Sequence, residues 1–346
     1  MLALRKTRPA PGLELCEAPE PRPPGAGEVL LQVRATGVCG TDLHIDEWTP
    51  SYRFAAPSLP VTVGHEFSAT VHTLGAGVTG LAPGSLVAVR PSVVCGTCVA
   101  CVIGDFDACT TRRGTGVTRD GAFAARVLVP ARNCVPVPGG LDDEVAALAE
   151  PMTVSHESAR TGEVRPGQRV LVLGPGNIGL GIAVFARAAG AAQVVAAGRH
   201  DVHRLATARA MGFDHTLDFG DDDMSVRLAP LVAEGGFDVV FEATGAAAVI
   251  APALAALKPH GILVVTGIHA APVPIDLTAL LRRHQQIRGS YRAPEAAWSG
   301  VLEFMRSHQA TLRHMITRVL PLHEAHEAIA LSRSRMATKV MIRPAT

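Results

Sequence analysis

The sequence has almost no excess charge, no long apolar run and no low-complexity tract. Its 32 lysine and arginine residues and 31 aspartate and glutamate residues leave a net charge of +1. This balance gives no electrostatic reason to bind nucleic acid or an anionic membrane. No apolar run approaches the length that spans a bilayer. The charged N-terminal segment is not followed by the apolar core of a signal peptide, so we expect a cytoplasmic protein.

The composition is that of a globular protein with a metal site. Of the 346 residues, 48% are hydrophobic and 18% are charged, and this length predicts about two domains, each with its own core. The seven cysteines are an odd number, and four of them lie within fifteen residues. Such a cluster favours metal binding in a reducing compartment over a set of disulfides.

A glycine-rich segment stands between a predicted strand and a predicted helix. Val170–Leu173 is a short apolar run typical of a strand inside a parallel sheet, and apolar residues recur at helical spacing after Asn177. Between them Gly174, Gly176 and Gly179 form G-x-G-x-x-G, a turn at which backbone N–H groups bind a dinucleotide pyrophosphate. The predicted cofactor-binding residues here are Gly174, Gly176, Asn177, Ile178 and Gly179.

The predicted secondary structure changes in character along the chain. Residues 1 to about 90 read as short strands separated by Pro- and Gly-rich loops, and residues 92–118 show no periodicity. From about 154 to 295, strands and helices alternate, which predicts a doubly wound parallel sheet. The predicted fold class is therefore α/β, with a β-rich domain formed by 1–153 and 296–346 and a dinucleotide-binding domain at 154–295.

Two groups of residues have the chemistry of metal ligands. Soft sulfur ligands at the spacing of the four clustered cysteines suit a closed, structural Zn²⁺ site, with an iron–sulfur cluster as the alternative. A second set combines thiolate, imidazole and carboxylate, and a zinc site with three protein ligands leaves a position for an alcohol or aldehyde oxygen. The first set is Cys95, Cys98, Cys101 and Cys109, and the second is Cys39, His65, Glu66 and Glu150.

These motifs together resemble a known family. Cys39-Gly-Thr-Asp-Leu-His44, Gly64-His65-Glu66, the four-cysteine loop, Glu150-Pro151 and the glycine motif have the order and spacing of zinc-dependent medium-chain alcohol dehydrogenases. Within that family the sequence is most similar to the threonine 3-dehydrogenase and sorbitol (polyol) dehydrogenase types. The resemblance implies a GroES-like catalytic domain, a Rossmann domain, and two zinc ions per chain, one catalytic and one structural. Cys39, His65 and either Glu66 or Glu150 would hold the catalytic ion.

The resemblance also implies an activity and a proton path. A secondary alcohol or ketone of a small polar molecule (a polyol, cyclitol, sugar or amino alcohol) would exchange hydride with NAD(P), and Thr41 and His44 would relay the alcohol proton. The alternatives are L-threonine 3-dehydrogenase itself and a non-catalytic dinucleotide-binding protein. Ser92 stands where threonine dehydrogenases commonly carry histidine, and Arg90 either faces solvent or meets an anionic or polar substrate group. By the same resemblance we expect a homo-oligomer, a tetramer or a dimer, with Leu263–Gly267 and its neighbours extending a sheet across a two-fold axis.

The end of the second strand of the dinucleotide-binding domain predicts which cofactor is preferred. The strand at 193–197 ends without a carboxylate, and Gly198, Arg199 and Arg204 follow. The first acid, Asp201, is expected to cap the next helix. Gly198 leaves room for a 2′-phosphate and Arg199 can pair with it, which predicts NADP(H) over NAD(H). Alternatively, Arg199 stacks on adenine and discriminates little.

Overall fold

The chain folds into two compact units. The structure is a computed structural model that describes residues 1–344. One unit consists of Met1–Glu150 and the residues from Pro294 onward, and the other of Pro151–Ala293. The sequence places the two borders a few residues later, at 153/154 and 295/296. None of the helices in residues 1–344 has the length and apolar character needed to cross a membrane.

The first unit is built mainly of β-strands. The elements that begin before Pro151 are β1 (Leu2–Lys6), β2 (Glu14–Glu17), β3 (Glu28–Gly37), α1 (Gly40–Glu47), β4 (Val61–Thr62), β5 (Glu66–Leu74), β6 (Leu86–Val89), β7 (Ser92–Val93), α2 (Val99–Val102), β8 (Arg113–Gly114), β9 (Arg126–Pro130), β10 (Cys134–Pro136), α3 (Asp143–Ala146) and α4 (Ala149–Thr161).

The second unit alternates strands and helices. It contains β11 (Arg169–Leu173), α5 (Asn177–Ala188), β12 (Gln193–Gly198), α6 (Val202–Ala210), β13 (Thr216–Asp218), α7 (Met224–Ala233), β14 (Phe237–Glu242), α8 (Ile250–Ala256), β15 (Leu257–Val265), α9 (Leu277–Arg282) and β16 (Gln286–Gly289). The chain then returns to the first unit with α10 (Ala297–Ser307), α11 (Gln309–Arg313), β17 (Ile316–Pro321), α12 (Ala325–Arg333) and β18 (Lys339–Arg343).

The large sheet of the first unit brings together strands that are far apart in sequence. Its order is β10-β6-β5-β3-β18-β17, and β9 also pairs with β3. β3 and β5 are antiparallel, with Gly37 opposite Glu66. β18 pairs with the same end of β3, with Met341 opposite Gly37. The start of β5, the end of β3 and the C-terminal strand therefore meet at one place in this sheet.

The second unit confirms the predicted doubly wound parallel sheet. Its strand order is β13-β12-β11-β14-β15-β16, and every neighbouring pair is parallel. The four residues Val170–Leu173 of β11 are buried, as a central strand covered on both faces requires. The chain order reverses beside β11, between β12 on one side and β14 on the other. This is the switch point at which such sheets bind ligands, at the carboxyl ends of the strands.

One sequence-based expectation about this sheet is wrong. Leu263–Gly267 was expected to extend the sheet across a two-fold axis, but Leu263 belongs to β15, which pairs with both β14 and β16. An inner strand has no free edge to offer to another chain. The strand at the end of the sheet is β16, which the apolar pattern does not single out because it has only four residues.

Candidate active site and metal centres

The sheet register brings Cys39, His65 and Glu66 together. Cys39 lies between β3 and α1, directly before the helix, and His65 directly precedes β5, which begins with Glu66. One ligand atom from each of the three residues lies within 4.8 Å of the other two. A thiol, an imidazole and a carboxylate at this separation are a donor set suited to Zn²⁺. The residues present therefore fit the catalytic metal that the sequence predicts.

Asp42 holds the backbone on both sides of this cluster. Its carboxylate is fully buried and accepts hydrogen bonds from the backbone N–H of Cys39 (2.9 Å) and of Gly64 (3.3 Å). It also lies 3.8 Å from Nδ1 of His65. Burial alone lowers the pKa of His65, but the charges of Cys39 and Asp42 raise it well above its ordinary value. Asp42 thus positions two of the candidate ligands and is not expected to bind the metal itself.

A buried lysine forms an ion pair with Glu66. Lys339 Nζ lies 2.5 Å from Glu66 Oε2 and donates a further hydrogen bond to the Val38 carbonyl at 2.8 Å. Burial opposes the charged form, yet the charges of Glu66 and Cys39 raise the pKa of Lys339. Sequence analysis missed Lys339. The available signal is a lysine at the start of the apolar strand β18, because a buried ammonium group needs a paired charge.

Glu150 lies within electrostatic range of the same cluster but outside the close group of three. Its carboxyl group, in the first turn of α4, is influenced by the charges of His65 and Glu66. Burial, opposed by the charge of His65, raises the pKa of Glu150 to about 7. Of the two candidate carboxylate ligands, Glu66 is therefore the one grouped with Cys39 and His65, and Glu150 lies outside that group.

The structure connects Thr41 and His44 through a residue that sequence analysis missed. Thr41 Oγ1 and the Tyr52 hydroxyl are 2.9 Å apart. The His44 and Tyr52 rings are stacked, with centroids 5.9 Å apart and planes inclined by 13°. Tyr52 lies in a 3-10 segment, Pro50–Ser58, that has no periodic pattern to reveal it. Hydroxyl groups in such contact are able to pass a proton, and the stacking holds the His44 ring beside them.

The four clustered cysteines form the second candidate metal centre. Their sulfur atoms all lie within 4.8 Å of one another, with 3.8 Å between Cys95 and Cys101 and 3.7 Å between Cys95 and Cys109. A tetrahedron with zinc–sulfur bonds of about 2.3 Å has edges of about 3.8 Å. Hydrogen bonds from the Thr111 hydroxyl and from backbone N–H groups lower the pKa of Cys95 to about 5, which favours the thiolate. The cluster fits a closed tetrahedral metal ion.

In the glycine motif, neighbouring atoms lie as close to the glycine backbone as the sequence motif predicts. Gly174 follows β11 with φ of +98°, and a Cβ atom there would lie 2.9 Å from Ala243 O and from Thr244 Cγ2. A Cβ atom on Gly179 would lie 1.9 Å from Gly174 O. Asn177 and Ile178 are the first residues of α5. The segment is a strand, a tight turn and a helix N-terminus, the arrangement that binds a pyrophosphate.

The arginines beyond β12 have different surroundings. The Arg199 guanidinium donates hydrogen bonds of 3.0 Å to the carbonyls of Gly220 and Asp222. Arg204, by contrast, lies beside the glycine motif, with Nη1 3.9 Å from the position of a Cβ atom on Gly176. Gly198 is the last residue of β12, one residue beyond the predicted end of this strand.

Asp201 is the N-cap residue of α6, as the sequence predicts, but its side chain makes no capping hydrogen bond. The side chain is instead buried beside Gly198, where a Cβ atom would lie 2.8 Å from Asp201 Oδ2, and it stands 3.8 Å from Arg204. The helical spacing of the two residues places this carboxylate and this guanidinium next to each other at the end of β12.

The expectation that Arg90 faces solvent is wrong. Its side chain is buried, and it forms an ion pair of 2.5 Å with Glu295 and a hydrogen bond to the carbonyl of Arg132. Burial and the charge of Arg132 lower the pKa of Arg90 to about 10. The sequence gives no hint of Glu295, since it lies about two hundred residues further along the chain. Arg90 is therefore engaged within the first unit.

Comparisons with known proteins agree with this site. Residues 25–139 match the alcohol dehydrogenase GroES-like domain, and residues 177–307 match the zinc-binding dehydrogenase domain. The chain belongs to this family of zinc-binding alcohol dehydrogenases, and it is accordingly a zinc-type, NAD(P)-dependent oxidoreductase. The family and the fold predicted from the sequence are thereby confirmed.

Three of the similar proteins illustrate the range of the family. L-threonine 3-dehydrogenase of Saccharopolyspora erythraea is 35% identical over 343 residues, which cover 99% of this chain and 98% of that protein. Sorbitol dehydrogenase of Halalkalibacterium halodurans is 32% identical, with 99% of each chain covered. The solved structure of a zinc-binding dehydrogenase from Sinorhizobium meliloti 1021 bound to NADP has a TM-score of 0.86 and 30% identity, with 99% of each chain covered.

Proposed function

We propose that this chain transfers hydride between NADP and a secondary alcohol or ketone of a small polar molecule, such as a polyol, cyclitol, sugar or amino alcohol. The observation that carries the proposal is the group formed by Cys39, His65 and Glu66, three zinc-type donors of which one buried aspartate, Asp42, positions the first two. A protein that only binds dinucleotides needs no such group. Zinc bound here supplies Lewis acidity that lowers the pKa of a substrate alcohol.

We assign the remaining site residues by the same reasoning. Cys39 and His65, with Glu66 or Glu150, hold the catalytic ion, and Cys95, Cys98, Cys101 and Cys109 hold a structural one, so each chain carries two. Thr41 and His44 relay the substrate proton, as the family resemblance implies. The 2.9 Å contact with the Tyr52 hydroxyl holds the Thr41 side chain, and stacking on Tyr52 holds the His44 ring, so both relay groups are positioned by one residue.

A substrate panel and a metal analysis test the function together. We expect polyols, cyclitols, amino sugars or threonine to change the absorbance of the reduced nicotinamide, and we expect two zinc ions per chain. One zinc ion per chain, retained when Cys39 is replaced by serine, together with no turnover on the panel, would favour a non-catalytic binding protein. The second candidate is L-threonine 3-dehydrogenase, which the 35% identical relative favours. Threonine as the best substrate in the panel would establish it.

We further propose that NADP(H) is preferred over NAD(H). Supporting this are the absence of an acid at Gly198 and the two arginines, Arg199 and Arg204, in the segment that follows. Asp201 opposes it, but the guanidinium of Arg204 stands 3.8 Å from that carboxylate and offsets its charge. A charge-assisted contact to a 2′-phosphate contributes roughly 1.5–3 kcal/mol, on the order of ten- to a hundredfold in affinity.

The cofactor preference is tested by kcat/KM for both cofactors with one substrate. In Arg199→Ala and Arg204→Ala we expect kcat/KM for NADP to fall about tenfold or more, while the value for NAD changes little. Asp201→Asn removes a negative charge, whereas the two arginine variants remove a positive one. It should therefore raise the preference for NADP over NAD. Equal or better use of NAD by the unaltered enzyme would contradict the proposal.

A further inference from the structure

The last residue of β14, Glu242, has a fully buried carboxylate. One oxygen of Glu242, Oε1, accepts hydrogen bonds from Thr244 N (2.6 Å), Thr244 Oγ1 (2.5 Å) and Gly245 N (2.8 Å). These bonds fix the Ala243–Gly245 segment, which lies against Gly174 of the glycine motif. Glu242 therefore fixes the segment that packs against the glycine motif of the dinucleotide site.

The second oxygen of Glu242 holds a histidine. Oε2 lies 3.1 Å from Nε2 of His269, whose side chain is 15% exposed. Because a carboxylate only accepts hydrogen bonds, Nε2 carries the proton in this pair. Nδ1 of the neutral imidazole is then an acceptor. That atom is buried, and within residues 1–344 it has no hydrogen-bond partner.

The position of His269 in the sheet indicates which half of a bound dinucleotide the residue lies beside. β11, β12, β14 and β15 are parallel, so their carboxyl ends lie at one edge of the sheet. A dinucleotide crosses the switch point with its pyrophosphate at the glycine motif. Its adenosine half then lies over the end of β12, and its nicotinamide half lies over the ends of β14 and β15. His269 follows β15 by four residues and Glu242 ends β14, on the nicotinamide side.

We propose that His269, oriented by Glu242, is a hydrogen-bond acceptor for the nicotinamide half of the bound cofactor. Nδ1 accepts from a hydrogen-bond donor of that half, either a ribose hydroxyl or the amide N–H of the carboxamide. Glu242 acts as a positioning residue, because it fixes both the tautomer and the ring orientation of His269. Gly267 is required for this pair, since a Cβ atom there would lie 2.6 Å from Glu242 Oε2. The inference rests on the NAD(P)-dependent function proposed above.

The test measures cofactor binding by quenching or enhancement of reduced-nicotinamide fluorescence, independently of turnover. His269→Leu should raise Kd for NADPH about 3- to 10-fold, the effect of losing one hydrogen bond. Kd for 2′,5′-ADP, measured by competition, should not change, because this fragment lacks the nicotinamide half. Glu242→Gln should have an effect of similar size, since a glutamine amide donates to Nε2 and turns Nδ1 into a donor. The Kd of the double variant, His269→Leu with Glu242→Gln, for NADPH should be no higher than the higher of the two single-variant values.

Two ligands distinguish the possible donors. 2′-Phospho-ADP-ribose keeps the ribose hydroxyls without the carboxamide, and the 3-acetylpyridine analogue of NADPH lacks the amide N–H. Weaker binding of 2′-phospho-ADP-ribose to His269→Leu assigns the hydroxyl. Unchanged binding of the acetylpyridine analogue to this variant assigns the amide.

The matched control is His260→Leu, a change of the same kind at the opposite end of β15, where His260 stacks on His284. It should leave every Kd unchanged. The proposal is overturned if His269→Leu binds NADPH as the unaltered protein does, or if it loses affinity for 2′,5′-ADP to the same extent. If the unaltered protein bound no reduced cofactor at all, the proposed function would fail as well, so the two failures are distinguishable.

Discussion

At the scale of single residues, Lys339 and Glu66 illustrate how charge is balanced in the candidate metal site. Both side chains are almost completely buried, and they pair at 2.5 Å. The cluster around them also contains Cys39, Asp42 and His65, and burial raises the pKa of both Cys39 and Asp42. Lys339 is the cation paired directly with Glu66, and it is the main compensating charge for this carboxylate when no metal ion is bound.

We therefore expect Lys339→Met to destabilise the metal-free protein more than the zinc-loaded protein. Breaking a buried ion pair by removing one partner costs about 3–5 kcal/mol, and bound zinc offsets part of that cost by taking the carboxylate as a ligand. Urea unfolding with and without a chelator measures both values. Lys258→Met is the control, because its pair with Asp238 is about a third exposed and is worth roughly 1 kcal/mol or less. Equal losses with and without zinc would argue against this role of Lys339.

At the scale of elements, the loop from β7 to β8 depends on its four cysteines. Between these two-residue strands the chain forms only one short helix and a 3-10 turn. Of its residues between Cys95 and Cys109, Cys101 alone contributes to the buried apolar core. The free energy that orders such a loop has to come from the metal site, as in other small zinc-bound segments.

We predict that Cys98→Ser lowers the melting temperature of the protein and costs one zinc ion per chain. Cys39→Ser should instead abolish most turnover and leave the melting temperature nearly unchanged, since an open site supplies Lewis acidity rather than folding free energy. Thermal melts, zinc analysis and initial rates on both variants give the comparison. Cys16→Ser, in β2 and outside both clusters, should behave like the unaltered protein. Normal turnover in Cys39→Ser would rule out a catalytic zinc ion at this site.

At the scale of the whole molecule, the family resemblance predicts a homo-oligomer, a tetramer or a dimer. The parallel sheet of the second unit ends at β16, whose outer edge is the place where a sheet is able to continue into another chain. Light scattering at micromolar protein measures the mass directly. A mass near 36.1 kDa, that of one chain, would contradict the prediction.

Much of the fold was predictable because its signals are local. The run Val170–Leu173 and the glycines after it report strand, turn and helix within a dozen residues, and backbone sterics alone require glycine at Gly174. The spacing of the four cysteines likewise predicts a shared metal ion, since a short loop has few ways to arrange them. Elements without a pattern, such as β16 and the 3-10 segment that carries Tyr52, were not found.

The sequence by itself determined the domain types, the glycine motif and the donor chemistry of both metal centres, because these depend on residue type and on spacing along a short stretch of chain. Only the tertiary structure decided which charges meet. Lys339 reaches Glu66 across 273 residues, Arg90 pairs with Glu295, and His269 is held by Glu242. Sheet register and packing bring these partners together, and neither is encoded in the periodicity of one segment.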